Sequence, residues 1–360
     1  LCRLTERFNQ RRLPQVILAD MRRELRDGNF SCISRPLQQE LERNLAAGEQ
    51  SILFLNRRGA NRLITCVECG FTYRCPRCSV SLTYHSYGKK LMCHYCGHTQ
   101  RVDEACPVCG GKLSYVGAGT QKVEEELAQR FPGVGVLRMD ADAVTRAGSH
   151  EALLSRFREE NIPIMIGTQM VTKGLNFENV TLVGVLSADQ SLYAGDYRSA
   201  ERTFSLITQV VGRSGRFRRP GRAVIQTFTP DNQVIRQAAA QDYDSFYASE
   251  IELRRLQTAP PFAELLCLTV SGLDETLVLR CASEIRDALT REARSCADAR
   301  VLGPAPLPVV RVMDRYRYRV TLCAPPMSGL RRLVSELVVR FSTDKKYREL
   351  SVFADSDPLD

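Results

Sequence analysis

SILFLNRRGANRLITCVEC, residues 51–69, joins two unlike patterns in one run. Its first five residues are continuously apolar, as in a strand of a parallel sheet that is covered on both faces and meets water on neither. Asn56, Arg57, Arg58 and Gly59 end that strand, and RLITC (62–66) leads straight into CVEC (66–69). A Cys-x-x-Cys knuckle of this kind brings two thiolates close enough to share one tetrahedral ion. The run therefore predicts an α/β sheet domain interrupted by a metal-stapled insert.

The insert continues through three more knuckles, CPRC (75–78), CHYC (93–96) and CPVC (106–109), so that eight of the fourteen cysteines fall in this stretch. Gly70, Gly97 and Gly110 follow three of the knuckles, where glycine lets the chain curl back and aim amides at sulfur. Four knuckles can pair in sequence, interleaved or nested. Nesting fits the spacing best: the middle two enclose 14 residues, close to the roughly 15–20 of a zinc ribbon. Thr83, Tyr84, Leu91 and Met92 around Gly88 read as its hairpin. Two Zn2+ per chain are expected, an outer one on Cys66, Cys69, Cys106 and Cys109 and an inner one on Cys75, Cys78, Cys93 and Cys96. Nesting also makes the insert enter and leave at one point. His85, His94 or His98 standing in for a cysteine is an alternative, and exchangeable disulfides of a redox sensor are another; such motifs favour metal in a reducing compartment.

Outside the insert, strands alternate with helices. VILAD (16–20), SILFL (51–55), VGVLRMD (134–140), PIMIGT (163–168), VTLVGVLSAD (180–189) and RAVIQTF (222–228) read as strands. A helix opens at Ser34, with Pro36 behind it and Leu37, Leu41 and Leu45 at helical spacing; others run from Thr120, from Ser149 and from about Arg198 to Val211. Strands of one series lie on both sides of the cysteines, so the insert is an excursion from a single parallel-sheet domain. Beyond Asp231 the order becomes β-α-β-β-α-β, that of a split βαβ unit. The domains expected are 1–65 with 112–230 (α/β lobe), 66–111 (zinc insert) and 231–360 (α+β).

With 360 residues, the chain is long enough for two or three domains with proper cores. No apolar run is long enough to span a membrane, and LCRLTERFNQ lacks the apolar centre of a signal peptide, so a cytoplasmic location is expected. Leu1 at the start points to a piece of a longer chain. Eight thiolates and two dications would lower the formal charge of +9 to about +5. Of 50 basic residues 43 are arginine, suited to bidentate phosphate contacts. Nucleic acid is a reasonable partner, although charge alone does not establish it.

Two loops of the α/β domain carry the chemistry. Gly167-Thr168-Gln169-Met170-Val171-Thr172-Lys173-Gly174 follows a strand, where the carboxyl rim of a parallel sheet opens to ligands. Gln209-Val-Val-Gly212-Arg213-Ser214-Gly215-Arg216 ends a helix. A cationic helix terminus accounts for one such arginine; two, three positions apart among glycines, can bring paired guanidinium groups to one phosphate. Both are expected to face the ligand-binding rim.

Taken together, these motifs resemble the second RecA-like lobe of superfamily 2 helicases, and four knuckles beyond LFLNRRG narrow the resemblance to the primosomal protein N′ (PriA) family of bacterial replication-restart helicases. It extends over LPQVILADMRRE (13–24), GTQKVEEEL (119–127), GTQMVTKGLNFENVTLVGVLSAD (167–189), QVVGRSGR (209–216), APPF (259–262), LGPAPLP (302–308), RYRYRV (315–320) and DSDP (355–358).

The resemblance implies an ATP-driven 3′-to-5′ DNA helicase that acts at stalled forks and helps reload the replicative helicase, in a monomer. Arg213 and Arg216 would stabilise charge on the ATP γ-phosphate with Gln209 and Gly174 in the same cleft. Thr168, Gln169 and Lys173 would link nucleotide state to DNA, and Arg57 and Arg58 would lie near phosphates. Partners would be forked and single-stranded DNA, the tail of single-strand binding protein (through Arg331 and Arg332), and primosome and helicase-loading proteins. On the strand around Tyr316 and Tyr318, Arg315, Arg317 and Arg319 would share the opposite face, with Arg311 nearby. Two departures stand against this. The chain holds no Gly-x-x-x-x-Gly-Lys-[Ser/Thr] loop and no Asp-Glu-x-His motif, so the Mg2+-ATP cradle is missing. As the carboxyl-terminal half of such an enzyme it is expected to lack ATPase activity by itself. The rival reading is a zinc-ribbon module that binds nucleic acid without a motor.

Overall fold

The computed structural model describes residues 13–55, 63–66, 68–69, 71–78, 80–85, 90–93, 96–116, 120–139, 143–144, 149–168, 177–192, 197–214, 219–296, 298–325 and 329–358. Its described residues divide into two compact units, 1–61 with 117–250 and 62–116 with 251–360.

The first unit is built on β1 (Gln15–Asp20), β2 (Gln50–Leu55), β8 (Val136–Met139), β9 (Ile164–Gly167), β10 (Val180–Leu186) and β11 (Arg222–Thr227). They form one parallel sheet in the order β1-β11-β10-β2-β9-β8. Alternate residues of β2 supply opposite cores, which is why its run is apolar throughout. Ile52 and Phe54 pack with Val183, Val185, Phe157, Phe204 and Ile207 on one face. Leu53 and Leu55 pack with Leu37, Leu41, Val123 and Leu127 on the other. The first face is covered by α4 (His150–Glu159), α5 (Ser199–Val211) and α6 (Gln233–Ala240), the second by α2 (Arg35–Ala46) and α3 (Thr120–Arg130). A short α1 (Met21–Arg26) follows β1.

Local chemistry sets the helix starts. Ser34 Oγ accepts the Leu37 amide at 3.3 Å and Pro36 lies in the first turn, as its sequence predicts. Gln226 then ties that turn to β11, accepting the Ser34 amide at 2.8 Å and donating to the Cys32 carbonyl at 2.8 Å. Gly184 lets α2 approach the sheet: a β-carbon there would meet Leu37 Cδ1 of that helix at 3.0 Å and Leu53 Cδ2 of β2 at 2.7 Å.

In the second unit, the cysteine-rich insert begins and ends on one antiparallel pair, β3 (Leu63–Cys66) with β7 (Leu113–Val116). Inside it β4 (Thr83–His85), β5 (Lys90–Met92) and β6 (Thr99–Arg101) form a three-stranded sheet, with Tyr84 opposite Leu91 and Thr83 opposite Met92 in the expected hairpin. The rest of the unit holds α7 (Tyr243–Gln257), which begins in the first unit, then β12 (Glu264–Gly272), α8 (Glu275–Glu292), β13 (Arg300–Val312), β14 (Arg315–Ala324), α9 (Leu330–Thr343) and β15 (Ser351–Ser356). Its sheet is antiparallel in the order β13-β14-β12-β15, with α8 and α9 packed on it through Val278, Ile285, Val334 and Leu337. This is the split βαβ arrangement.

Two features differ from the boundaries read in sequence. Residues 231–250 lie with the first unit, because Ile235, Ala238 and Phe246 bury their side chains in its core. The cysteine insert, although a sequence excursion from the parallel sheet, packs into the same unit as the carboxyl-terminal sheet. No described helix is long and apolar enough to cross a membrane.

Candidate metal centres and motor loops

The eight knuckle sulfurs gather in two clusters, Cys66 with Cys69, Cys106 and Cys109, and Cys75 with Cys78, Cys93 and Cys96, each within 4.8 Å across. Sequential and interleaved pairings are thereby excluded. Individual separations are 3.5 Å for Cys66–Cys109, 3.6 Å for Cys69–Cys106 and 3.6 Å for Cys75–Cys96. A tetrahedral ion with Zn–S bonds of about 2.3 Å sets its ligands ~3.8 Å apart, whereas a disulfide would need about 2.05 Å. The donor sets fit two zinc ions. His98 stands outside both clusters; His94 and the side chain of His85 lie outside the described residues.

The knuckle backbone prepares the sulfurs. Val108 N donates to Cys106 Sγ and Gly111 N to Cys109 Sγ, each at 3.4 Å. The Cys69 amide, with that of Glu68 and against burial, brings the Cys66 thiol down to about 7. In the inner cluster, burial pushes Cys78 up to about 12, a rise to which Cys96 and Cys93 add, although the Met313 amide works against it. Four sulfurs so close resist ionising together, and a dication at their centre reverses that order. The inner cluster is the more enclosed: Cys75, Cys78 and Cys93 pack with Ile64, Tyr73, Leu82 and Leu91, while Cys69 and Cys109 of the outer one are exposed.

Thr168 stands half-buried just past β9, at the carboxyl rim of the parallel sheet; Gln169, Lys173 and Gly174 lie outside the described residues, as do Arg57, Arg58 and Arg216. Gln209 is exposed on α5 and Arg213 half-buried just beyond it, its amide bonded to the Val210 carbonyl at 3.0 Å. Arg213 does not share the rim of Thr168. Because α5 runs back along the sheet after β10, it ends near the amino ends of the strands: Ser214 touches Gly221, whose carbonyl accepts the amide of Gln15 at the start of β1. The expectation that both loops face the carboxyl rim is corrected accordingly, and any phosphate reached by Arg213 must approach the opposite rim. Near it lies an ion-pair network that sequence reasoning missed, with Arg222 2.8 Å from Glu40 and 3.6 Å from Glu49, and Arg219 also on Glu49. Partners so far apart in sequence leave no local signal.

In the carboxyl-terminal sheet Tyr318 turns to the helices, its hydroxyl donating to Glu275 at 2.7 Å, and alternation sets Arg317 and Arg319 on the other face. Arg315 donates to the Ser271 carbonyl at 2.8 Å. Arg331 and Arg332 each already hold a carboxylate, Glu264 at 2.7 Å and Glu336 at 2.9 Å.

A parallel-sheet lobe with a helix-ending arginine motif, interrupted by paired four-cysteine clusters, defines the class: the second lobe of a helicase with a zinc-ribbon insert. Residues 75–101 match the family model of the PriA DNA helicase Cys-rich region, 103–218 that of the helicase conserved C-terminal domain and 255–359 that of the primosomal protein N C-terminal domain. The chain is 44% identical over 359 residues to the replication restart protein PriA of Bacillus subtilis (strain 168), covering 99% of this chain and 44% of that protein. It is 42% identical to that of Synechocystis sp. (strain ATCC 27184 / PCC 6803 / Kazusa), covering 89% and 39%, and 37% identical to that of Chlamydia muridarum (strain MoPn / Nigg), covering 96% and 46%. This chain belongs to the PriA family of replication restart proteins. It spans about half the length of the curated relatives it matches.

Proposed function

We propose that this chain supplies the second motor lobe, zinc module and carboxyl-terminal domain of an ATP-dependent 3′-to-5′ DNA helicase, which remodels stalled forks and helps reload the replicative helicase in the cytoplasm. The observation that carries the reading is the 44% identity to a replication restart protein, which runs through all three parts of the chain rather than one motif. Arg213 and Arg216 serve the γ-phosphate of ATP bound with Mg2+ on another lobe, with Gln209 beside them. Thr168, Gln169, Lys173 and Gly174 couple that state to DNA, and Arg57 and Arg58 hold backbone phosphate. Two Zn2+ staple the insert. Forked and single-stranded DNA, the tail of single-strand binding protein and helicase-loading proteins are its partners. The phosphate loop being absent, this chain alone turns over no ATP.

The test is fork binding and ATP hydrolysis by this chain, alone and joined to the amino-terminal half of a relative, across a salt series. The reading expects salt-sensitive fork binding, and turnover only in the joined form. DNA-stimulated turnover by this chain alone, or a joined form that neither binds forks nor hydrolyses ATP, would refute it.

A further inference from the structure

The inner cysteine cluster receives a hydrogen bond from outside the insert. Met313, at the tip of the β13–β14 hairpin, donates its amide to Cys78 Sγ at 3.2 Å across 235 residues of sequence, closer than the 3.4 Å amide–sulfur contacts of the outer cluster. The contact is one of a set. Asp314 N donates to the Arg77 carbonyl at 2.8 Å, Arg311 Nη2 to the Pro76 carbonyl at 2.9 Å, and Val312 packs into the apolar cluster around Cys75, Cys78 and Cys93. The hairpin tip thus grips the whole CPRC knuckle.

The tip's own conformation is a second, independent observation. Met313 and Asp314 have φ of 49° and 62° between the paired residues Val312 and Arg315. Both central residues of such a tight turn are left-handed, a demand that Asn-Gly meets and Met-Asp meets poorly. Left-handed residues with side chains persist where surrounding structure fixes them, and here the knuckle does so.

We propose that the Met313 amide is a positioning group of the inner metal centre, so that this zinc is held jointly by the insert and the carboxyl-terminal domain and acts as the joint between them. An amide aimed at Sγ disperses thiolate charge and steadies the metal–sulfur bond, as outer-shell donors do at metal sites generally. The reverse also holds: with the inner metal bound, the knuckle gives the strained hairpin tip its seat. The proposal rests on the reading that the clusters hold metal, and it makes the two centres unequal, since among the described residues the inner one alone receives a hydrogen bond from outside the insert.

The test uses the full chain loaded with zinc, and in parallel with cadmium. Met313→Pro removes the N–H and, unable to hold a positive φ, also withdraws the tip from the knuckle, whereas Met313→Gly keeps the N–H and suits that φ. Residues 311–314 are absent from the core of the carboxyl-terminal domain, which should stay folded. In Met313→Pro, one of two cadmium NMR resonances should shift, and one of two zinc ions should pass to a chromogenic chelator about tenfold faster or more; Met313→Gly should leave both unchanged. Where the proline variant does not fold, hydrogen exchange on the unaltered chain decides. Amides 311–314 should lose protection in Cys93→Ser, which breaks the inner centre, and keep it in Cys69→Ser, which breaks the outer one. Two bound metals with no such asymmetry would overturn the proposal while leaving the metal reading intact; no bound metal would overturn both.

Discussion

Gly221 and Ser214 touch backbone to backbone: a β-carbon at 221 would stand 2.5 Å from the Ser214 carbonyl carbon. The contact fixes the turn that carries Arg213, since Ser214 Oγ also donates to the Val211 carbonyl at 3.0 Å and ends α5. Gly221→Ala is expected to cost about 1–3 kcal/mol through overpacking, read as a lower urea midpoint with an unchanged slope. An unchanged midpoint would mean that this turn yields freely.

Arg213→Ala in the joined, hydrolysis-competent enzyme should lower ATP turnover by ~10³ or more, the scale of an arginine finger, with fork binding retained. In this chain alone the thermal midpoint should move less than in Gly221→Ala. Full turnover in the variant would remove Arg213 from the nucleotide site.

Metal content should fall from two ions to one in either Cys93→Ser or Cys69→Ser, but stability should not fall equally. Cys93 is buried beside Leu82 and Leu91, whereas Cys69 is exposed. Loss of the inner ion leaves buried Cys75 and Cys78 and half-buried Cys96 to reorganise against an apolar cluster, so Cys93→Ser should melt lower. Equal melting temperatures would contradict the burial argument.

Glu126 on α3 supplies an acid-sensitive link. Burial acts to raise its carboxyl, but hydrogen bonds from the Ser31 hydroxyl at 2.5 Å and from Cys32 hold it below the ordinary value of 4.5. A depressed carboxyl contributes stability above its unfolded value and loses it as pH falls through the folded one. Stability should therefore decline as pH drops below about 4.5, and Glu126→Gln should flatten that decline while lowering stability at neutral pH. A variant with the parent's acid profile would exclude the link.

Arg222→Ala leaves Glu40 and Glu49, both nearly buried, without the guanidinium they share. Glu40 keeps Arg43 at 2.6 Å and Glu49 keeps Arg219, so the loss should stay below the ~3–5 kcal/mol of an unpaired buried charge, read by denaturant titration. Arg222→Ala combined with Glu40→Gln should recover part of the loss.

Much of the architecture is legible in the sequence. SILFL and VTLVGVLSAD stood out as strands because a strand buried on both faces must be apolar at every position, and Ser34 with Pro36 marked a helix start because capping is a contact within one turn. The nested cysteine pairing followed from the 14 residues between the inner knuckles. The rims of the sheet were harder to read. A strand ends at the carboxyl rim, as before Thr168, whereas a helix that runs back after its strand, as before Arg213, delivers its last residue to the opposite end.

By itself, then, the order of residues determined the α/β lobe, the split βαβ sheet and the composition of both metal clusters, because periodicity, capping and ligand spacing act over a few tens of positions. Only the tertiary structure decided that Cys78 meets Met313 across 235 residues, that 231–250 join the first unit, and that Arg222 gathers Glu40 and Glu49. Those contacts depend on how finished elements pack, and packing compares surfaces that carry no mark of each other in the chain.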